Sequence, residues 1–169
     1  MFPPERARLA VKLNEYELPS AMNEAVIITS RPAKISQFKI YVDGKFMEDF
    51  RADGVVVATP TGSTAYALSS AGPILHPQLQ GIVLVPIAPH LSVDRAVVLA
   101  EGSMVSIRIK GDNGVLSIDG QPSITLMDDD HVDVRAAEVT TQFVRFGDPG
   151  YFYRNLTAHM NENSLGLPR

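Results

Sequence analysis

Cysteine is absent from the 169 residues, which removes disulfides, thiolate metal sites, iron–sulfur ligation and a cysteine nucleophile. Positive charge is not in excess: 15 Lys and Arg stand against 19 Asp and Glu, a net charge of −4. A dominant nucleic-acid or anionic-membrane surface is therefore not expected. No apolar stretch of signal-peptide type follows Met1. The longest apolar run, residues 82–88, contains Pro86 and is far short of the roughly 20 residues a membrane span requires. His76, His90, His131 and His159 are scattered, with no pair at metal-ligand spacing. Gly62-Ser63-Thr64 does not fit the Gly-x-Ser-x-Gly nucleophile elbow. These exclusions leave a cytoplasmic globular domain, long enough for a real core, that binds neither nucleic acid nor membrane.

What is present reads mostly with period two. Phe38, Ile40 and Val42 alternate with Lys39 and Tyr41; Val105, Ile107 and Ile109 alternate with Ser106, Arg108 and Lys110. Val132 and Val134 lie between His131, Asp133 and Arg135. Such alternation turns one face of a strand to a core and the other to water. Further strands are expected over 9–13, 25–29, 54–59, 82–87, 115–119 and 141–146. Asp43-Gly44 is a favoured two-residue hairpin turn, Gly111-Asp112-Asn113-Gly114 reads as another, and Asp119-Gly120-Gln121-Pro122 as a tight corner. Asp128-Asp129-Asp130 reads as a solvated turn. Helix is scarce: residues 63–71 begin with hydroxyls and stop at Gly72-Pro73, and 152–160 are expected to form a last turn or two. The expected fold is mainly β, an antiparallel two-sheet sandwich-like domain with one short helix. It spans residues 1–160, followed by a frayed tail over 161–169.

Chemistry concentrates in residues 53–66, Asp-Gly-Val-Val-Val-Ala-Thr-Pro-Thr-Gly-Ser-Thr-Ala-Tyr. An apolar strand runs into a hydroxyl-rich turn that opens a helix, where free N–H groups favour an anion. Thr61, Ser63 and Thr64 are positioned to hydrogen-bond phosphate or ribose oxygens, Gly62 to let a ligand approach the backbone, and Tyr66 to offer an aromatic face. The plain alternative is that Ser63 or Thr64 only caps the helix.

The string Thr59-Pro60-Thr61-Gly62-Ser63-Thr64-Ala65-Tyr66, followed by Ser69-Ser70-Ala71-Gly72-Pro73-Ile74, resembles the signature of NAD kinases. Asn23-Glu24, Asp53-Gly54, Ile87-Ala88-Pro89-His90 with Arg95, and Ser117-Ile118-Asp119-Gly120-Gln121 resemble further family motifs and occur in family order. Taken singly, each has an ordinary structural reading: a solvated strand start for Asn23-Glu24, a turn for Asp53-Gly54, core packing for Tyr66, a hairpin corner for Asp119-Gly120. Together they favour the family.

The resemblance implies transfer of a phosphoryl group to the 2′-hydroxyl of the NAD adenosine ribose, giving NADP. The donor it implies is ATP or polyphosphate, with a divalent metal such as magnesium. Asn23 and Glu24 would bind the NAD ribose and pyrophosphate region. Thr61, Thr64, Ala65, Tyr66 and Ser69 would line the adenine and nicotinamide pockets. Asp53 and Ile87, with Asp119, would belong to a site built between subunits of a homodimer or homotetramer. The family resembles a two-domain protein whose N-terminal α/β domain carries Gly-Gly-Asp-Gly, the aspartate being assigned as the base. That motif is not in these 169 residues, so no catalytic residue is expected in this chain, and it is expected to be inactive alone. Two other readings compete: a non-catalytic NAD- or NADP-binding regulatory module, and a lipid kinase of the diacylglycerol or sphingosine type.

Overall fold

The period-two pattern becomes strands with one buried face. In the computed structural model, which describes residues 5–31, 36–90, 94–111, 113–144, 146, 150 and 152–156, Val105, Ile107 and Ile109 are buried and the residues between them half-exposed. The chain forms β1 (Glu5–Arg6), β2 (Leu9–Leu13), β3 (Tyr16–Ala21) and β4 (Glu24–Thr29). A hairpin of β5 (Ser36–Val42) and β6 (Lys45–Ala52) precedes β7 (Gly54–Ala58). A 3-10 turn (Gly62–Thr64) and α1 (Tyr66–Ser69) lead to β8 (Ile82–Ile87) and β9 (Val97–Leu99). Then follow β10 (Met104–Lys110), β11 (Gly114–Ile118), β12 (Ile124–Leu126), β13 (His131–Ala136) and β14 (Thr141–Gln142).

Two antiparallel six-stranded sheets result, ordered β3-β2-β13-β10-β5-β6 and β12-β11-β4-β7-β8-β9, with β1 and β14 as a separate pair. Inward residues of both sheets share one core: Leu9, Phe38, Ile40, Phe50, Ile107 and Val134 from the first meet Ile27, Val55, Leu84 and Leu116 from the second. This is the expected sandwich. A second cluster forms on the outer face of the second sheet, where Val56, Ala58, Val83 and Val85 pack under Ala67 of α1. Because β7 is covered on both faces, its apolar run is continuous rather than alternating.

Three expectations need correction. The single helix over 63–71 is two short pieces, broken at Ala65 (φ −98°, ψ −127°). Tyr66, the next residue, directs its backbone hydrogen bond to Glu24 rather than back along a helix. Gly111–Gly114 does not close a hairpin: β10 and β11 belong to different sheets, so this segment is a corner between them, and Asp112 lies outside the described residues. Among the described residues of the strand expected over 141–146, only Thr141–Gln142 are β, paired with β1.

Both Asp-Gly hairpins are present. Asp43 (φ 51°) and Gly44 (φ 75°) join β5 to β6, and Asp119 (φ 47°) and Gly120 (φ 69°) join β11 to β12. Asp128–Asp130 is a turn whose carboxylates are engaged: Asp128 accepts from Gly111 N–H, Asp129 pairs with Lys110 and Arg108, and Asp130 accepts from Asn14 and Met127. The chain divides into a main unit, residues 4–142, and a smaller one, residues 1–3 with 143–169, containing a helical turn at 152–156. Residues 157–169, the rest of the expected last turns and the tail, lie outside the described residues. No helix among the described residues is long and apolar enough to cross a membrane.

Candidate functional site

Strand β4 begins at Glu24, pairs with Ala58 at the end of β7, and pairs on its other side with β11. This register brings three separated motifs to one end of the second sheet: Asn23-Glu24, the Thr59–Tyr66 turn, and Asp119. The Asp119 carboxylate accepts from three consecutive backbone N–H groups, Met22 at 2.6 Å, Asn23 at 2.8 Å and Glu24 at 3.0 Å. Its own N–H donates to the Glu24 carbonyl at 3.0 Å. From the other side, Thr59 Oγ1 donates to the Met22 carbonyl at 2.7 Å and accepts from Gly62 N–H at 2.9 Å. Thr59 N–H donates to the Asn23 carbonyl. The Met22–Glu24 bend is thus gripped by both neighbouring strand ends.

Glu24 is the unusual group. It is 8% exposed, and its Oε2 has no hydrogen-bond partner among the described residues. Burial pushes its carboxyl above the usual carboxylate range, and the Asp119 charge pushes the same way. A backbone hydrogen bond from Tyr66 partly opposes them. Thr61 Oγ1 is likewise buried without a partner. The carboxamide of Asn23, half-exposed, makes no hydrogen bond to the described residues. An acceptor buried at this cost is what a ligand's hydroxyl pair would satisfy. Tyr66 is 44% exposed, so it is not core packing; Thr64 and Ser69 are exposed beside it.

Much of the turn's hydrogen bonding is spent within the chain. The N–H of Gly62 goes to Thr59 Oγ1, that of Ser63 to Pro60 O, that of Ala65 to Gly62 O, and that of Tyr66 to the Glu24 carboxyl. Nor is the Ser63 hydroxyl available to a ligand. It is fully buried, donates to Pro60 O at 2.7 Å and accepts from Leu75 N–H at 3.0 Å, fastening the turn to the segment after α1. Neither Ser63 nor Thr64 caps a helix in the usual sense, since no side-chain cap bond forms at either helical piece. Gly62 admits backbone, but that of Asn23 rather than a ligand.

Asp53 and Ile87 are also brought together, Asp53 N–H donating to Ile87 O at 3.0 Å. They stand at the opposite end of β7, roughly 20 Å from Thr59 at about 3.3 Å per strand residue. Asp119 sits at the other end, beside Asn23 and Glu24, because β11 pairs antiparallel with β4 and its turn emerges at the Glu24 end. The expected residues therefore form two groups within one chain. Thr59 was not singled out by sequence, although its place in the hydroxyl-rich string was the available signal.

Residues 22–146 match the model of the ATP-NAD kinase C-terminal domain. The chain belongs to the NAD kinase family. It is 41% identical to an NAD kinase of Methanosarcina acetivorans, over 89% of this chain and 55% of that protein. To one of Burkholderia thailandensis it is 48% identical, over 79% and 44%. Among solved structures, yeast NADH kinase complexed with NADH superposes with a TM-score of 0.85 at 30% identity, covering 95% of this chain and 49% of that one. An NAD kinase from Archaeoglobus fulgidus in complex with ATP gives 0.77 at 29%, covering 90% and 58%. The chain thus spans about half the length of the NAD kinases it matches.

Proposed function

We propose that this chain is the NAD-binding and oligomerising part of an NAD kinase, which transfers a phosphoryl group to the 2′-hydroxyl of the NAD adenosine ribose to give NADP. The carrying observation is Glu24, a carboxylate buried with Oε2 unpartnered at the meeting point of three family motifs. Vicinal ribose hydroxyls are donors of the right kind for it, with the Asn23 carboxamide beside them. Thr61, Thr64, Ala65, Tyr66 and Ser69 line the purine or nicotinamide side, Tyr66 offering its ring and Thr61 its unpartnered hydroxyl. These residues bind and orient the acceptor. In the transfer itself, the ribose 2′-oxygen forms a bond to the terminal phosphorus, the bond to the leaving phosphate oxygen breaks, and the hydroxyl proton passes to a base.

The base belongs to Gly-Gly-Asp-Gly, which these 169 residues do not contain, so the chain by itself binds NAD without turning it over. The ATP-bound relative supports ATP as donor; polyphosphate is the other donor within this reading. No group of three or more His, Asp or Glu among the described residues could hold a metal ion. A divalent ion such as magnesium would be carried on the donor's phosphates. Asp53 and Ile87, unable to reach Glu24 within one chain, serve a pocket shared between copies in a cytoplasmic homodimer or homotetramer.

Titration calorimetry with NAD, joined to an NADP-production assay, tests the proposal. NAD binding without turnover is expected, and turnover appears when a lobe carrying Gly-Gly-Asp-Gly is joined to the chain. Robust NADP formation by the 169 residues alone would overturn the division of labour. Binding that persists without turnover in the joined protein favours a regulatory module.

A further inference from the structure

We infer that Asp119 is a positioning residue of the dinucleotide site: its carboxylate, clasped by the backbone N–H groups of Met22, Asn23 and Glu24, fixes the bend that presents Asn23 and Glu24 to the ligand. The inference rests on the reading of Asn23 and Glu24 as ligand contacts. It replaces the expectation that Asp119 touches the ligand, since its oxygens are turned inward onto the chain.

Three successive amides pointing to one side form a nest of the kind that binds anions. Here the anion is internal. Oδ2 accepts from Met22 and Oδ1 from both Asn23 and Glu24. The aspartate reaches them because residue 119 occupies the left-handed region (φ 47°), which Asp tolerates and which places its short side chain back over the neighbouring strand. The two residues are locked reciprocally, Asp119 N–H to Glu24 O and Glu24 N–H to Asp119 Oδ1. Asp119 is the charged group acting on the Glu24 carboxyl; α1 presents Tyr66 to it, and β7 presents Ala58, which carries no charge. Asp119 therefore fixes the direction of Glu24, and its charge adds to burial in raising the Glu24 carboxyl.

The test is Asp119→Asn in the full chain, read by NMR and calorimetry. The variant keeps one acceptor and turns an NH2 group toward the third amide. Amide exchange at Met22, Asn23 and Glu24 should quicken roughly tenfold or more while β7 and β8 stay protected. The Glu24 side-chain carboxyl, followed by its carbon shift, should titrate at lower pH, and NAD should bind roughly tenfold more weakly. A wild-type measurement needs no substitution: the amides of residues 22–24 should be protected from exchange together, as three donors to one carboxylate. Unchanged exchange and Glu24 titration in the variant, or unprotected wild-type amides at residues 22–24, overturn the inference. So does unaltered NAD affinity once exchange has changed. Failure of the wild-type chain to bind NAD, with the exchange and titration effects present, counts against the proposed function instead.

Discussion

Gly62 lies against Asn23 so closely that a Cβ on it would run into the Asn23 carbonyl and stand 2.7 Å from the Asn23 Cα. The contact joins the signature turn to the Asn-Glu bend through bare backbone, with no flexible side chain to yield. Gly62→Ala should therefore cost about 3 kcal/mol, a Tm loss of roughly 6–12 °C in a protein this size, and abolish NAD binding. Thermal melts and calorimetry on the same sample check both. A variant that melts normally and binds NAD would show that the turn and the bend are not coupled.

Glu24→Gln should do the opposite to stability. Folding raises the Glu24 carboxyl, so the native protein holds that proton more tightly than the unfolded chain. Stability therefore falls as pH rises from the ordinary carboxylate range through the raised folded value. Glutamine carries no such liability. The variant should melt above wild type at pH 7, by roughly 2–4 °C for each kcal/mol relieved, and equal it below about pH 4. NAD affinity should fall at the same time. Melts across this pH range decide it; equal curves at pH 7 would contradict the raised carboxyl.

Ala71 ends the segment after α1 in the left-handed conformation (φ 63°), a place that favours glycine, while Gly72 N–H closes onto Ala67 O at 2.8 Å. Ala71→Gly should stabilise the chain by about 0.5–1 kcal/mol and leave NAD binding unchanged. Chemical denaturation measures the gain. Glycine is not interchangeable along this corner: at Gly72 a Cβ would stand 2.7 Å from Ala67 O, so Gly72→Ala should be costly.

Much of the sandwich was legible because a strand with one buried face leaves a period-two trace. Residues 9–13 and 82–87 are bounded as expected, and the turns at Asp43-Gly44 and Asp119-Gly120 announce themselves by residues that accept positive φ. The edges were not legible. β3 contains Pro19, and β9 and β12 are three residues each, too short for a pattern. β6 is shifted by an irregularity opposite Ile40 and Tyr41. Sheet membership was also hidden, since β10 and β11 look like a hairpin yet belong to different sheets. In the site, residue types were readable and their employment was not. Ser63, Gly62 and Asp119 look ligand-facing until Leu75, Asn23 and Met22 are seen to claim them.

The length of β7 has a genetic consequence. Its five residues are buried on both faces and laddered to β4 and β8, so it acts as a fixed yardstick between Glu24 and Asp53. If one ligand uses both ends, it takes them from different copies. A chain carrying Glu24→Gln and another carrying Asp53→Ala, each defective alone, should complement when refolded together: a mixed dimer regains one intact pocket of its two, and about a quarter of all pockets recover after random pairing. Mixtures of separately folded oligomers should stay silent until subunits exchange.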